Sequence, residues 1–192
     1  MTVEDAHAAV CADPSDLIGC LPTLRELAAQ VADVVEFGTG SGRSATAFLA
    51  GQPESLKTYD VEHHPGLRDR LELVRGRTRL EVHRADVLEI PPIECDLLFV
   101  DTIHTGRHLW QELSRHGPGV RRWIVLHDTV SYFDWDGMMD EPGLGPAIRR
   151  WLQTHPEWHV WRHLSAGHGL TVLSCRPEDH PLDPPPFPVV IS

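Results

Sequence analysis

The chain has 192 residues, 41% of them hydrophobic and 23% charged, and a formal net charge of −11 with histidine counted neutral. That length suits one domain around one core, which needs no disulfide or structural metal to fold. The acidic balance argues against nucleic-acid binding and against an anionic membrane surface, since both demand clustered Lys and Arg. Cys11, Cys20, Cys95 and Cys175 form no CxxC pair and no zinc spacing. Scattered thiols, no long apolar run and no basic-plus-apolar leader together suit a cytoplasmic protein.

Residues 1–15 hold few large apolar side chains and read as a loosely held arm before a domain over 16–175. Leu21, Leu24, Leu27, Ala28 and Val31 recur at helical spacing, with Pro22 near the helix start. Val34 to Phe37 is a short strand running into a glycine-rich turn, and Ser44 to Ala50 is the helix after it. A strand follows at Leu56 to Tyr59, then a helix marked by Leu67, Leu71 and Val74. Arg79 to His83 and Asp96 to Val100 are the next strands. A helix around Leu109, Trp110 and Leu113 precedes a strand from Trp123 to Leu126, and Leu144 to Leu152 is helical. Trp158 to His163 and Leu170 to Ser174 read as a hairpin joined around Gly167.

This alternation predicts an α/β fold: a mostly parallel sheet with helices on both faces and an antiparallel strand at one edge. Residues 176–192 hold six prolines and read as an irregular tail lying over the surface or over a partner.

The strongest chemical signal is Glu36-Phe37-Gly38-Thr39-Gly40-Ser41-Gly42. Three alternate glycines between a buried strand and a helix allow a tight turn and let a ligand approach main-chain N–H groups. The spacing is GxGxG, not the GxGxxG of a dinucleotide site. Asp60 lies 22 residues after Gly38 at the end of the next strand, where a carboxylate can accept hydrogen bonds from a ribose diol; Glu62 competes for that role. Asp86, just after the third strand, could reach an adenine amino group, with Val87 as an adenine contact.

In this order the motifs resemble the class I S-adenosylmethionine (SAM)-dependent methyltransferases. The resemblance is nearest to small bacterial members of the cephalosporin-hydroxylase-like and macrolide-sugar O-methyltransferase group. Beyond the glycine turn and Ser44, it is carried by Tyr59-Asp60, by Asp86, by Leu98 to Thr105 with Asp101 and His104, by Ile124 to Thr129 with His127-Asp128, by Gly145 to Ile148 and by Gly169 to Leu173. It implies a Rossmann-like seven-stranded sheet of order 3-2-1-4-5-7-6. It also implies SAM held by the Gly38–Gly42 turn, Glu36 near the methionine end, Asp60 on the ribose and Asp86 near the adenine.

Asp101 and Asp128 end strands that the resemblance places side by side. Two converging carboxylates repel unless a proton or cation lies between them. A divalent cation is one resolution, with Asp101, His127 and Asp128 as its ligands. In metal-dependent relatives an acid or amide stands where this chain has His127, and an Asp-His-Asp set suits Mn, Fe or Zn better than Mg. His127 could instead be a packed loop residue. His104 can take a proton from an acceptor hydroxyl, orient Asp101 or cap the helix that follows. His104, His127 and Asp101 are therefore the catalytic candidates. The loop 131–139, rich in aromatics and acids, is expected to form a lid.

The expected reaction is O-methylation of a small hydroxylated metabolite, metal-assisted if the Asp-His-Asp set binds an ion. The alternatives are non-methyl chemistry on the same fold, and a nicotinamide-dependent oxidoreductase, which the glycine spacing disfavours. The expected partner is a small-molecule acceptor, with no nucleic acid and no membrane. The tail could embrace a second subunit, leaving a homodimer open.

Overall fold

The computed structural model describes residues 2–180 apart from His63 and Met138. Its elements in chain order are α1 (Val3–Ala12), α2 (Leu21–Ala28), β1 (Asp33–Phe37), α3 (Arg43–Gly51), β2 (Ser55–Asp60), α4 (Leu67–Val74) and β3 (Arg79–Arg84). There follow β4 (Cys95–Val100), α5 (Gly106–His116), a 3₁₀ turn (Gly117–Gly119), β5 (Val120–His127), α6 (Gly145–Thr154), β6 (His159–Leu164) and β7 (Leu170–Ser174). The strands form one sheet in the order β3-β2-β1-β4-β5-β7-β6.

Strands β1 to β5 run parallel, and β7 is antiparallel to both of its neighbours, β5 and β6. The antiparallel strand thus lies one place inside the edge. The hairpin pattern alone had suggested the edge itself. The expected seven-strand order is the one found.

Period-two alternation sorts the central strands between two apolar layers. Val34, Leu97, Phe99, Trp123 and Val125 face a core built with α2, α3 and α4. Val35, Phe37, Leu98, Val100, Ile124 and Leu126 face a second core built with α5 and α6. A sheet covered on both faces needs nearly continuous apolar strands. Glu36 breaks that rule in the middle of the sheet.

The parallel register brings the functional ends together. Phe37 pairs with both Tyr59 and Val100, and Val100 pairs with Leu126. The residues just beyond β1, β2, β4 and β5 therefore open on the same side of the sheet, where ligands of open α/β sheets bind.

The N-terminal segment corrects the sequence reading. Residues 3–12 form a helix and not a loose arm. Thr2 and Asp5 make a reciprocal capping box at its start, and Ala6 is buried. Val3, Val10 and Cys11 pack against the core that α3 also faces. Ala is the best helix former but carries little apolar area, so the pattern of large side chains gave no sign of this helix. Glu4 pairs with Arg25, and Asp13 pairs with Arg43, which fastens the segment at both ends. Of the proline-rich tail, residues 181–192 lie outside the described residues.

Candidate functional site

The turn after β1 is a conformational requirement. Gly38, Gly40 and Gly42 all have positive φ. A Cβ on Gly38 would lie 1.8 Å from the Asp101 carbonyl oxygen, and one on Gly42 would lie 2.5 Å from Leu67 Cδ1. Only glycine satisfies both the left-handed backbone and the close approach. Gly42 leads directly into α3 as its N-cap residue.

A cavity of about 380 Å³ opens at this turn. Gly38, Thr39, Gly40, Ser41, Ser44 and Asp60 line it on one side, and Asp101, His104 and Asp128 line it on the other. Asp60 is held by backbone: its Oδ2 accepts the Gly40 N–H at 2.8 Å and its Oδ1 accepts the Glu62 N–H at 2.8 Å. A second cavity of about 370 Å³ shares Thr39 and Asp60 as lining. Asp86 and Val87 line neither. Asp86 is exposed and its Oδ1 accepts the Leu88 N–H, while Val87 is buried in the core.

Glu36 is fully buried, and both carboxylate oxygens lack a hydrogen-bond partner among the described residues. Burial pushes its carboxyl up to about 7, against the opposing influence of the nearby Ser44 and Thr58 hydroxyls. A buried orphan acid at the end of the donor strand is costly unless something polar arrives to meet it.

At the other end, His104 and Asp128 form a tight pair, Nε2 to Oδ2 at 2.6 Å. Asp128 has φ 62, a left-handed conformation that Asp tolerates better than most residues. His127 lies beneath the cavity with its side chain wholly buried. Its Nδ1 is 3.2 Å from Asp101 Oδ1 and 3.4 Å from Asp128 Oδ2, and its Nε2 is buried without a partner. Burial alone would lower the pKa of His127. The hydrogen bonds and charges of Asp101 and Asp128 outweigh it and raise the imidazole to about 10. Against its burial, Asp128 is held well below the usual carboxylate range by the hydrogen bonds and charges of His104 and His127, whereas burial raises Asp101 despite His127. His104 is raised because Asp128 outweighs desolvation. The His127 imidazole thus lies between the two converging acids, which favour its protonated form.

The structure groups the candidate side chains differently from the expectation. The ligand atoms that converge within 4.8 Å of one another belong to Asp101, His104 and Asp128. His104 stands where the sequence reading had placed His127 as a metal ligand, because His127 turns its Nδ1 to the two carboxylates from below. Three further lining residues, Asp16, Leu17 and His168, went unnoticed in the sequence, and Tyr132 of the marked 131–139 stretch lines the cavity with them. Tyr132 stacks on His104 with ring centroids 4.2 Å apart, and His168 stacks beyond it at 5.9 Å. The loop expected to form a lid brings Tyr132 to the cavity and is braced by its own hydrogen bonds. Leu144 N–H donates to Tyr132 O, Gly145 N–H to Phe133 O, and buried Asp136 accepts the Met139 and Glu141 N–H groups.

Residues 35–129 match the family described as a methyltransferase domain. No curated protein sequence matches the chain. Among solved structures, the O-methyltransferase from Bacillus cereus in complex with SAH is similar at a TM-score of 0.61 and 18% identity, covering 91% of this chain and 89% of that one. The SAH-bound methyltransferase PaMTH1 from Podospora anserina is similar at 0.60 and 16%, covering 89% and 86%. The N-methyltransferase NodS from Bradyrhizobium japonicum WM9 is similar at 0.61 and 15%, covering 84% and 97%. Enzymes that methylate oxygen and nitrogen share this fold, so these likenesses leave the acceptor open. No helix among the described residues is long and apolar enough to cross a membrane. The glycine turn, Asp60, Asp101 and Asp128 all lie within the segment that matches a methyltransferase domain, and the sheet around them has the methyltransferase fold.

Proposed function

We propose that this protein transfers the methyl group of SAM to a hydroxyl of a small acceptor, with His104 as the general base. The observation that carries this reading is the single cavity joining the glycine turn and Asp60 to the His104–Asp128 pair. SAM brings its own reactive sulfonium, so the protein mainly has to align donor and nucleophile. The turn from Gly38 to Gly42 and Asp60 hold the donor, and the resemblance assigns Glu36, buried behind the cavity lining, to the donor's methionine end. Asp128 accepts the Nε2–H of His104, fixing the tautomer that leaves Nδ1 as the proton acceptor. The acceptor oxygen bonds to the methyl carbon as the carbon–sulfur bond breaks, SAM leaves as its neutral thioether SAH, and the hydroxyl proton passes to His104. The narrower resemblance to macrolide-sugar methyltransferases favours a sugar or phenolic hydroxyl.

The convergence of Asp101, His104 and Asp128 supports a second reading in which these three hold a divalent ion. Their oxygen, nitrogen and oxygen donors suit Mn, Fe or Zn, and such an ion would polarise the acceptor hydroxyl. Methyl transfer from labelled SAM to a panel of hydroxylated acceptors tests the function. Metal-stripped protein that keeps full activity supports the base reading; activity restored only by added ion supports the second.

A further inference from the structure

The linker between α1 and α2 comes back to the mouth of the cavity through contacts that leave little freedom. Gly19 has φ +82, and a Cβ there would lie 2.8 Å from Ala166 Cβ. Gly167 has φ +60, and a Cβ there would lie 2.1 Å from the Asp16 carbonyl oxygen. The His168 N–H donates to that same carbonyl at 3.3 Å, and the Cys20 thiol reaches Ala166 O at 3.5 Å. The linker and the β6–β7 turn are thus packed backbone to backbone, and Asp16 is fixed at the entrance. Its Oδ1 accepts the neighbouring Leu17 N–H, and among the described residues no cation pairs with it.

Asp16 joins Asp60, Asp101 and Asp128 in lining the cavity, and the lining contains a single Arg and no Lys. That residue, Arg43, is committed to the Asp13 carboxylate and carbonyl. His104 is paired with Asp128, and His168 Nδ1 lies 3.8 Å from the other Asp128 oxygen. An incoming anion would find carboxylates and no free guanidinium or ammonium. Ile18 on the same linker and Val130 against Gly169 are exposed apolar side chains.

We infer that Asp16 is a specificity-determining residue, which makes the entrance admit uncharged or cationic hydroxylated acceptors and turn away carboxylated, phosphorylated or coenzyme A-borne ones. The inference rests on the methyl-transfer reading and adds the charge class of its substrate. Discrimination by like-charge repulsion is an established route to specificity, and it weakens as salt screens the charges.

The test is steady-state methyl transfer from SAM to matched acceptors that differ only in a carboxylate, such as catechol and 3,4-dihydroxybenzoate, with wild type, Asp16→Asn and Asp16→Lys. Asparagine keeps the acceptor oxygen that Leu17 uses, so the linker turn survives. The expected result is a KM at least tenfold lower for the uncharged acceptor. That ratio falls at least threefold in Asp16→Asn, further in Asp16→Lys, and also with added salt in wild type. A carboxylated acceptor used as well as its neutral partner overturns the inference while leaving methyl transfer intact, and so does a ratio that neither variant changes. Methylation of no acceptor in a broad panel, despite SAM binding by titration, overturns the methyl-transfer reading and the inference with it.

Discussion

Replacing Glu36 with glutamine isolates the cost of burying an acid in the middle of a parallel sheet. The carboxyl rises from an ordinary 4.5 to about 7, chiefly through desolvation in a fully buried position. A shift of that size corresponds to about 3 kcal/mol against the charged form. A raised carboxyl pKa means that the folded state holds a proton the unfolded state has released. Stability therefore falls as pH rises from about 4.5 to about 7, and the full penalty persists above 7. Glutamine cannot ionise and is spared this loss. The measurement is urea unfolding of wild type and Glu36→Gln without ligand at pH 5 and at pH 8. Subtracting the two pH values cancels glutamine's own burial cost and every group common to both proteins. The variant should gain about 2–3 kcal/mol on wild type between pH 5 and pH 8. A stability difference that does not change with pH would refute the reasoning, since it would mean that Glu36 is solvated or already paired. The same variant should bind SAM at least tenfold more weakly, which would make the orphan acid a cost retained for the donor.

Three other outcomes follow from the geometry. Asp128→Asn and His104→Ala should each lower kcat by roughly 10²- to 10⁴-fold with little change in SAM affinity; the wild-type rate should rise with pH through a value above that of an ordinary imidazole, because Asp128 raises His104. Gly38→Ala should place a methyl group against the Asp101 carbonyl at positive φ, lose about 3 kcal/mol or more and abolish SAM binding, as read by melting with and without SAM. His127, raised to about 10 by Asp101 and Asp128, should stabilise the fold fully below pH 6.5 and lose that contribution as pH rises through about 10; melts of wild type and His127→Gln should converge at the alkaline end.

The elements legible in the sequence were those with a strong period or a constrained turn. Val34 to Phe37, Leu97 to Val100 and Trp123 to Leu126 are buried on both faces, and their apolar runs are visible without a structure. Gly38, Gly40 and Gly42 are required by positive φ, so they stand out in the sequence as well. Helix α1 was hidden because it packs through only Val3, Ala6, His7, Val10 and Cys11, with no large aliphatic side chain among them beyond the two valines, and its capping box uses Asp5 in place of the usual Glu or Gln. That His104 faces the cavity while His127 is buried beneath it could not be read from spacing. It depends on which imidazole nitrogen meets which carboxylate once β4 and β5 are in register. Asp16 and His168 come together only because Gly19 and Gly167 let two segments nearly 150 positions apart pack backbone to backbone. Tyr132 lay inside a stretch already marked by its aromatics, but its stack on His104 required the loop's own hydrogen bonds to be known.

The central claim is that the glycine turn and the carboxylates around it hold SAM. Calorimetric titration of the purified, metal-stripped protein with SAM tests it most directly, repeated after addition of Mg, Mn, Fe(II) or Zn. Micromolar SAM binding is expected without any added ion, weakened in Glu36→Gln and abolished in Gly38→Ala. Failure to bind SAM under every one of these conditions would contradict it.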